Sequence, residues 1–260
     1  MKPTDLFQRP LYRFYERRLL RSLDRSRLPR HIGVIHDGHR RYARAAGLPD
    51  YTASYQAGMD KFVEFIDWCG ELEIPAVTCW LLSKENLTRP QSELLPYFDV
   101  LAGLFDRLPD AHGARGVCIK AIGSLDLLPD GLRASVERMV ERSNGGGRRL
   151  TIAVAYGGRQ EIVDACRRLV AGLAAEGRGA DEMVAAIDTE ALTAHLYIAD
   201  LPDPVLVIRT SGESRLSGFL LWQAAYAEYV FTDVHWPAYR RVDFLRALRD
   251  FSRRDRRFGQ

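Results

Sequence analysis

HIGVIHDGHRRYAR, residues 31–44, reads as a short buried strand that runs straight into a turn and then a helix. Ile32, Val34 and Ile35 supply the strand, Asp37-Gly38 the turn, and Arg40 and Arg41 open the helix. A strand that ends in Asp-Gly and opens a helix gathers three things. Asp37 is a carboxylate that can hold a divalent cation. The first N–H groups of the helix have no partner within it and favour anions. The guanidinium groups can fork onto phosphate oxygens. Asp-Gly is also an ordinary turn and Asp a common N-cap, so this stretch alone leaves a structural and a functional reading open.

Upstream, Leu6, Phe7, Leu11, Phe14, Tyr15, Leu19 and Leu23 recur near helical spacing, with arginines between them. Residues 1–30 therefore read as an amphipathic helical segment, with the helix over 4–27. The preferred reading packs it on its own domain; a helix lying on a membrane surface is the alternative. Downstream, helices are expected at 53–72, 94–108, 132–143, 160–175, 189–196, 224–229 and 243–258. Strands are expected at 76–82, 117–122, 150–155, 204–208 and 229–231. Strands alternating with helices imply an α/β fold, a parallel sheet with helices on both faces, as a single domain over 31–260. The Gly145–Gly147 loop and residues 174–188 are the expected flexible places.

The chain has 260 residues, 47% of them apolar, enough to build a full core. Its net charge is only +3, which argues against bulk nucleic-acid binding. Cys69, Cys79, Cys118 and Cys166 are far apart, show no CxxC pairing and sit in apolar segments. They read as reduced core residues of a cytoplasmic protein. No apolar run reaches the roughly 18 residues that span a bilayer, and the N-terminus lacks a signal-peptide pattern.

In a parallel sheet the site lies at the carboxyl ends of the strands. Four of those ends share one chemistry: Asp37-Gly38-His39-Arg40-Arg41, Ser83-Lys84-Glu85-Asn86 with Arg89, Gly157-Gly158-Arg159, and RTSGESR at 209–215. Together they suggest an anion site that grips more than one phosphate. RTSGESR, with two arginines six apart around hydroxyls and a glycine, can wrap a diphosphate. There is no Walker A motif, no G-x-G-x-x-G opening the first helix and no nucleophile elbow. Leu81, Leu82, Leu87, Phe98 and Phe105 flank the turns and suggest a greasy cavity beside the anion site, or simply core packing. A diphosphate head on a hydrocarbon tail fits the combination.

HIGVIHDGHRRYAR, LLSKENLTRP, AYGGRQEIVDA, PDPVLVIRTSGESRLSGFLLWQAAYAEYVFTDVHWP and DFLRALRDFSRRDRRFG resemble, in order and over nearly the whole chain, the cis-prenyltransferases. These are the Z-isoprenyl diphosphate synthases typified by undecaprenyl diphosphate synthase. PLYRFYERRL and LLSKENL are most similar to short-chain actinobacterial members that make Z,E-farnesyl diphosphate. The resemblance implies a homodimer and a six-stranded, mostly parallel sheet with a hydrophobic tunnel. It implies Mg²⁺ as cofactor, held by Asp37 and Glu228, and isopentenyl and allylic diphosphates as substrates. Asp37 matches the catalytic Asp, and Gly38, Arg40 and Arg41 the allylic-diphosphate loop. Asn86 and Arg89, next to Ser83 and Glu85, match residues near the reacting ends. Arg209, Arg215 and Ser217 match the isopentenyl-diphosphate ligands. Arg257-Phe258-Gly259 matches a C-terminal motif that reaches the partner's site.

The chain departs from the family pattern at several positions. His39 stands where the family has a catalysis-linked Asn, Tyr42 where it has Trp, and Tyr55 where His is usual. Ser214 replaces a polar residue, and His36 replaces an apolar one. The histidines flanking Asp37 read either as an altered metal or proton-transfer site or as tolerated exchange. Leu81 falls where longer-chain members carry a small tunnel residue, and its bulk should stop elongation at ten or fifteen carbons. Three readings follow: a regular short-chain cis-prenyltransferase, an irregular enzyme joining two allylic diphosphates head-to-middle, and a non-catalytic prenyl-diphosphate-binding subunit.

Overall fold

β1, His31–Ile35, is buried at every position because it is the inner strand that the others are laid against. It pairs in parallel with β2, Ala76–Trp80, on one side and with β5, Leu206–Arg209, on the other. The sheet order is β3-β4-β2-β1-β5-β6, with β3 at Val117–Ile122, β4 at Arg148–Ala153 and β6 at Glu228–Phe231. Every pairing is parallel, so the expected mostly parallel sheet is wholly so. This computed structural model describes residues 4–112, 116–143 and 145–254, with side chains described at residue 12 and from residue 14 onward.

The chain builds outward from β1 in one direction through β2 to β4 and β3, and in the other through β5 to β6. The strand order reverses at β1, which opens a crevice at its carboxyl end. Nine helices lie among the described residues. They are α1 Thr4–Ser22, α2 His39–Ala45, α3 Thr52–Glu71, α4 Gln91–Ala111, α5 Asp130–Glu141, α6 Gly158–Ala175, α7 Ala180–Ala185, α8 Thr189–Ala194 and α9 Arg241–Arg253.

The larger core joins α3, α4 and α9 to the sheet through Phe62, Phe65, Leu101, Phe105 and Leu248. Phe65 meets Phe244 edge-on at 4.9 Å and Trp236 at 5.6 Å, which ties α3 to the end of the chain. A second cluster, with Ile35, Trp80, Tyr156 and Phe219, covers the other part of the sheet. Gly33 permits that contact, since a Cβ there would stand 2.9 Å from the Phe219 ring. Cys69 and Cys79 are buried, Cys118 and Cys166 half-buried, and all four are free thiols, as their apolar settings imply.

Three expectations are corrected. The helix over 4–27 ends at Ser22, and Asp24 starts a separate turn by accepting from the Ser26 N–H at 3.0 Å. The strand at 76–82 stops at Trp80; Leu81 and Leu82 bend away and both donate to the Ala153 carbonyl. Residues 224–229 form turns and then a strand, because from Glu228 the backbone is paired to the sheet, the Glu228 N–H donating to the Val205 carbonyl at 3.0 Å.

Candidate active site

Asp37 leaves β1 between two arginines. Arg209, the last residue of β5, donates to its Oδ2 at 2.8 Å, and Arg41 of α2 reaches Oδ1 at 3.2 Å. Parallel pairing of β1 and β5 places Ile35 beside Arg209, so the sheet register itself brings carboxylate and guanidinium together. Arg209 is only 5% exposed, and its other amino group donates to Ser217 Oγ at 2.8 Å and to the Arg215 carbonyl. Among the described residues its Nε has no hydrogen-bond partner. Arg41 also donates to Glu213 at 2.8 Å, and Glu213 pairs with Arg215 at 2.5 Å. Burial pushes the Asp37 carboxyl up, but the Arg209 hydrogen bond and charge, with those of Arg41, bring it below its ordinary value. Asp37 is therefore ionised near neutral pH, and positive charge surrounds it.

The turn is built for close approach. Gly38 has φ +108°, and a Cβ there would stand 2.8 Å from Ser211 Cβ and 2.9 Å from His235 Nδ1. Thr210 Oγ1 accepts from the Asp37 N–H at 3.0 Å and donates to its carbonyl at 2.7 Å. Ser211, at φ +81°, is held by its N–H to the Val234 carbonyl at 2.8 Å, while its buried hydroxyl has no partner among the described residues.

A cavity of about 500 Å³ opens here. Its lining combines charged residues, Asp37, Arg40, Arg41, Arg44, Arg89, Arg209 and Arg215, with aliphatic and aromatic ones, Ile35, Tyr55, Trp80, Leu81 and Tyr97. Tyr97 and Tyr55 stand with ring centroids 4.6 Å apart, and the Tyr97 hydroxyl donates to the Leu81 carbonyl at 2.6 Å. Glu93 ties the mouth together, accepting from Arg89 at 3.1 Å, Arg40 at 3.4 Å and Tyr55 at 3.3 Å.

Both flanking histidines pack as neutral aromatics. His36 stacks on Trp236 at 3.8 Å and meets Phe62 edge-on, and burial lowers it well below the usual histidine value. His39 is lowered to about 4, chiefly by burial. Its Nδ1–H donates to the Ser54 carbonyl at 3.3 Å, and its ring lies where a Cβ on Gly58 would stand 2.0 Å away.

The 209–227 loop is anchored from below by Glu161 of α6, a carboxylate 1% exposed. It accepts from the Tyr197 N–H and the Gln223 amide, each at 2.9 Å, and from the Tyr156 hydroxyl. The Gly158 N–H adds a bond to the Gly218 carbonyl at 2.9 Å. Burial raises the Glu161 pKa, with those three donors opposing it.

Most of the residues expected at the site meet here: Asp37, Gly38, His39, Arg40, Arg41, Tyr55, Leu81, Ser83, Asn86, Arg89, Arg209, Arg215 and Ser217 all line the cavity. Tyr42 and Glu85 lie outside the lining, on α2 and in the turn after β2. Glu228 is not brought to Asp37 within one chain. It begins β6 opposite Leu206, at the amino end of the strands, and pairs with Arg254. Arg257, Phe258 and Gly259 lie outside the described residues. Sequence reasoning missed Tyr97, Glu93, Glu213 and Glu161. Glu213, inside RTSGESR, was legible as a carboxylate between two arginines; the others are joined only by the fold.

A carboxylate held by arginines at the switch point of a parallel sheet, in a cavity that also carries aromatic and aliphatic side chains, defines a class: α/β proteins whose strand ends form an anion site with an apolar margin. The Prenyltransf model, that of the undecaprenyl diphosphate synthase family, matches residues 35–259. The isoprenyl transferase 1 of Corynebacterium diphtheriae is 48% identical over 98% of this chain and 96% of its own length. The (2Z,6E)-farnesyl diphosphate synthase of Thermobifida fusca is 47% identical over 98% and 99%. The structure of lavandulyl diphosphate synthase from Lavandula x intermedia, in complex with dimethylallyl diphosphate, matches with TM-score 0.82 and 30% identity, over 90% of this chain and 100% of that one. The chain belongs to the undecaprenyl diphosphate synthase family, the cis-prenyltransferases, and is a prenyltransferase.

Two outcomes are expected. Gly38→Ala should cut turnover at least about 100-fold, since the added methyl must displace Ser211 or His235 and strain the turn; steady-state kinetics with a melting curve would show it. The raised folded-state pKa of Glu161 means its stabilisation is full below its free value of 4.5 and is lost as pH rises through the folded value. Urea midpoints at acid and alkaline pH should therefore show Glu161→Gln gaining on the unsubstituted protein as pH rises; a constant difference would contradict the buried-carboxylate account.

Proposed function

We propose that this protein is a short-chain cis-prenyltransferase that adds isopentenyl diphosphate to a short allylic diphosphate, giving a Z-configured product of ten or fifteen carbons. The observation that carries this reading is the mixed lining of the cavity. Its arginines are matched to diphosphate oxygens, and Trp80, Leu81, Tyr55 and Tyr97 to a hydrocarbon chain. The identity to relatives named isoprenyl transferase and (2Z,6E)-farnesyl diphosphate synthase supports it.

Among the described residues no group of three His, Cys, Asp or Glu side chains forms a metal cage. Asp37, a carboxylate lining the cavity, would hold a magnesium ion bound together with the substrate diphosphate. When bound, the ion would neutralise charge on the diphosphate. Asp37 holds it in our reading, and Glu228 belongs to it only across a homodimer, the assembly that the family resemblance implies.

The protein's own groups do the rest. As the allylic C–O bond breaks, its electron pair leaves with the diphosphate, which Arg40, Arg41 and the helix α2 N-terminus receive. The isopentenyl double bond supplies the pair for the new C–C bond. The released diphosphate takes the C2 proton, and the C–H pair restores a double bond. Arg209, Arg215 and Ser217 orient the isopentenyl diphosphate, and the aromatic wall keeps water from the allylic cation. Leu81 and Tyr97 close the apolar end as one unit, because the Tyr97 hydroxyl is bonded to the Leu81 carbonyl.

A second reading, irregular coupling of two allylic diphosphates, is favoured by the likeness to lavandulyl diphosphate synthase. Purified protein with Mg²⁺ should convert isopentenyl diphosphate plus geranyl or dimethylallyl diphosphate into regular Z chains, and make nothing from dimethylallyl diphosphate alone. A branched product in the last tube would establish the second reading instead. Asp37→Ala should lower kcat by about 100-fold or more. Leu81→Ala combined with Tyr97→Ala should shift product length beyond fifteen carbons on chromatography, whereas Tyr97→Phe should leave it unchanged.

A further inference from the structure

The first 30 residues carry nine basic and three acidic side chains, and residues 236–260 carry eight and three. These two segments together are net +11 in a chain that is only +3, so the rest is net acidic. The fold brings the two segments together. Arg240, just before α9, donates to the Tyr12 hydroxyl at 2.8 Å, and Arg246 lies over the Tyr15 ring at 5.0 Å. Among the described residues, a charge polarity that is sequential in the chain thus becomes spatial, with α1 seated against α9.

α1 has two different faces on that surface. Leu19 and Leu23 point into the core, and Tyr12 and Tyr15 pack against it. The packed-helix expectation therefore holds for that face. Phe14, Arg17, Arg18 and Arg21 are exposed and follow the i, i+3, i+4, i+7 spacing of one stripe. Phe14 is 67% exposed, an apolar ring left in water beside three arginines. Nucleic acid would be met by charge alone. A ring flanked by arginines on a helix lying flat on its domain instead supplies the two contributions that surface binding to a bilayer needs, apolar insertion and attraction to acidic headgroups.

We propose that the outward face of α1, with the adjoining basic helix α9, docks this enzyme on an anionic lipid bilayer. Phe14 enters the headgroup boundary while Arg17, Arg18 and Arg21 meet lipid phosphates. α1 stays seated on the core, so binding needs no unfolding. The inference stands on charge and exposure and does not depend on which substrate the cavity takes.

Sedimentation of the purified full chain with vesicles tests it, using phosphatidylcholine alone or mixed with phosphatidylglycerol. Prenyltransferase turnover and melting temperature, read in parallel, show that each variant is folded. Binding to the phosphatidylglycerol vesicles, weakened by added salt, is expected. Combined Arg17→Glu, Arg18→Glu and Arg21→Glu should reduce it by about 100-fold, with turnover unchanged. Phe14→Ser should reduce it by about 10-fold. Equal binding to neutral and anionic vesicles, or undiminished binding by the triple variant, would overturn the proposal. So would tight binding of duplex DNA with no vesicle binding, which would make the face a nucleic-acid surface.

Discussion

The site depends on one ion pair, Asp37 with Arg209, formed across adjacent parallel strands. The guanidinium is almost wholly buried, which is costly unless its donors are met. Asp37, Ser217 and the Arg215 carbonyl meet them. The same arrangement fixes the loop that carries Arg215. A buried arginine so held is a preorganised half of an anion site, and the ordering is complete before any substrate arrives. Only its Nε is left without a hydrogen-bond partner among the described residues.

Around that pair the carboxylates are distributed by role. Asp37 faces the cavity between two arginines. Glu213 and Glu93 each hold two arginines, Arg41 with Arg215 and Arg40 with Arg89. Without them, like charges would crowd one mouth with no anion to gather them. Glu161 works from beneath, fixing the loop through Gln223 and the Tyr197 N–H. Among the apolar lining residues the Tyr97 bond to the Leu81 carbonyl couples two, so neither yields space independently.

Much of this was legible in the order of residues. The buried run Ile32, Val34, Ile35 and the Asp-Gly turn located the central strand and its active end. Strand ends rich in Gly, Ser and Arg located the rest of the crevice. What was hidden falls into two kinds. Segments after Trp80 and before Glu228 were misread because backbone bending and sheet pairing leave little trace in hydropathy. Residues such as Tyr97, Glu93 and Glu161 sit on helix faces whose periodicity reads as core or surface, and only tertiary packing joins them to the cavity. His36 and His39 show the reverse. Their sequence position suggested chemistry, yet stacking on Trp236 and packing on Gly58 seat them as neutral rings.

The central claim is that one cavity reads a diphosphate head and a hydrocarbon tail together, with the allylic head held by the arginines of α2 beside Asp37. Calorimetry with a non-ionisable geranyl thiodiphosphate tests it most directly, beside pyrophosphate and geraniol as separate halves, on the unsubstituted protein and on Arg41→Gln. The account predicts that the whole analogue binds far more tightly than either half, and that Arg41→Gln loses at least about 10-fold, the loss of a charged hydrogen bond. Geraniol binding as tightly as the analogue, or an unchanged affinity in Arg41→Gln, would contradict it.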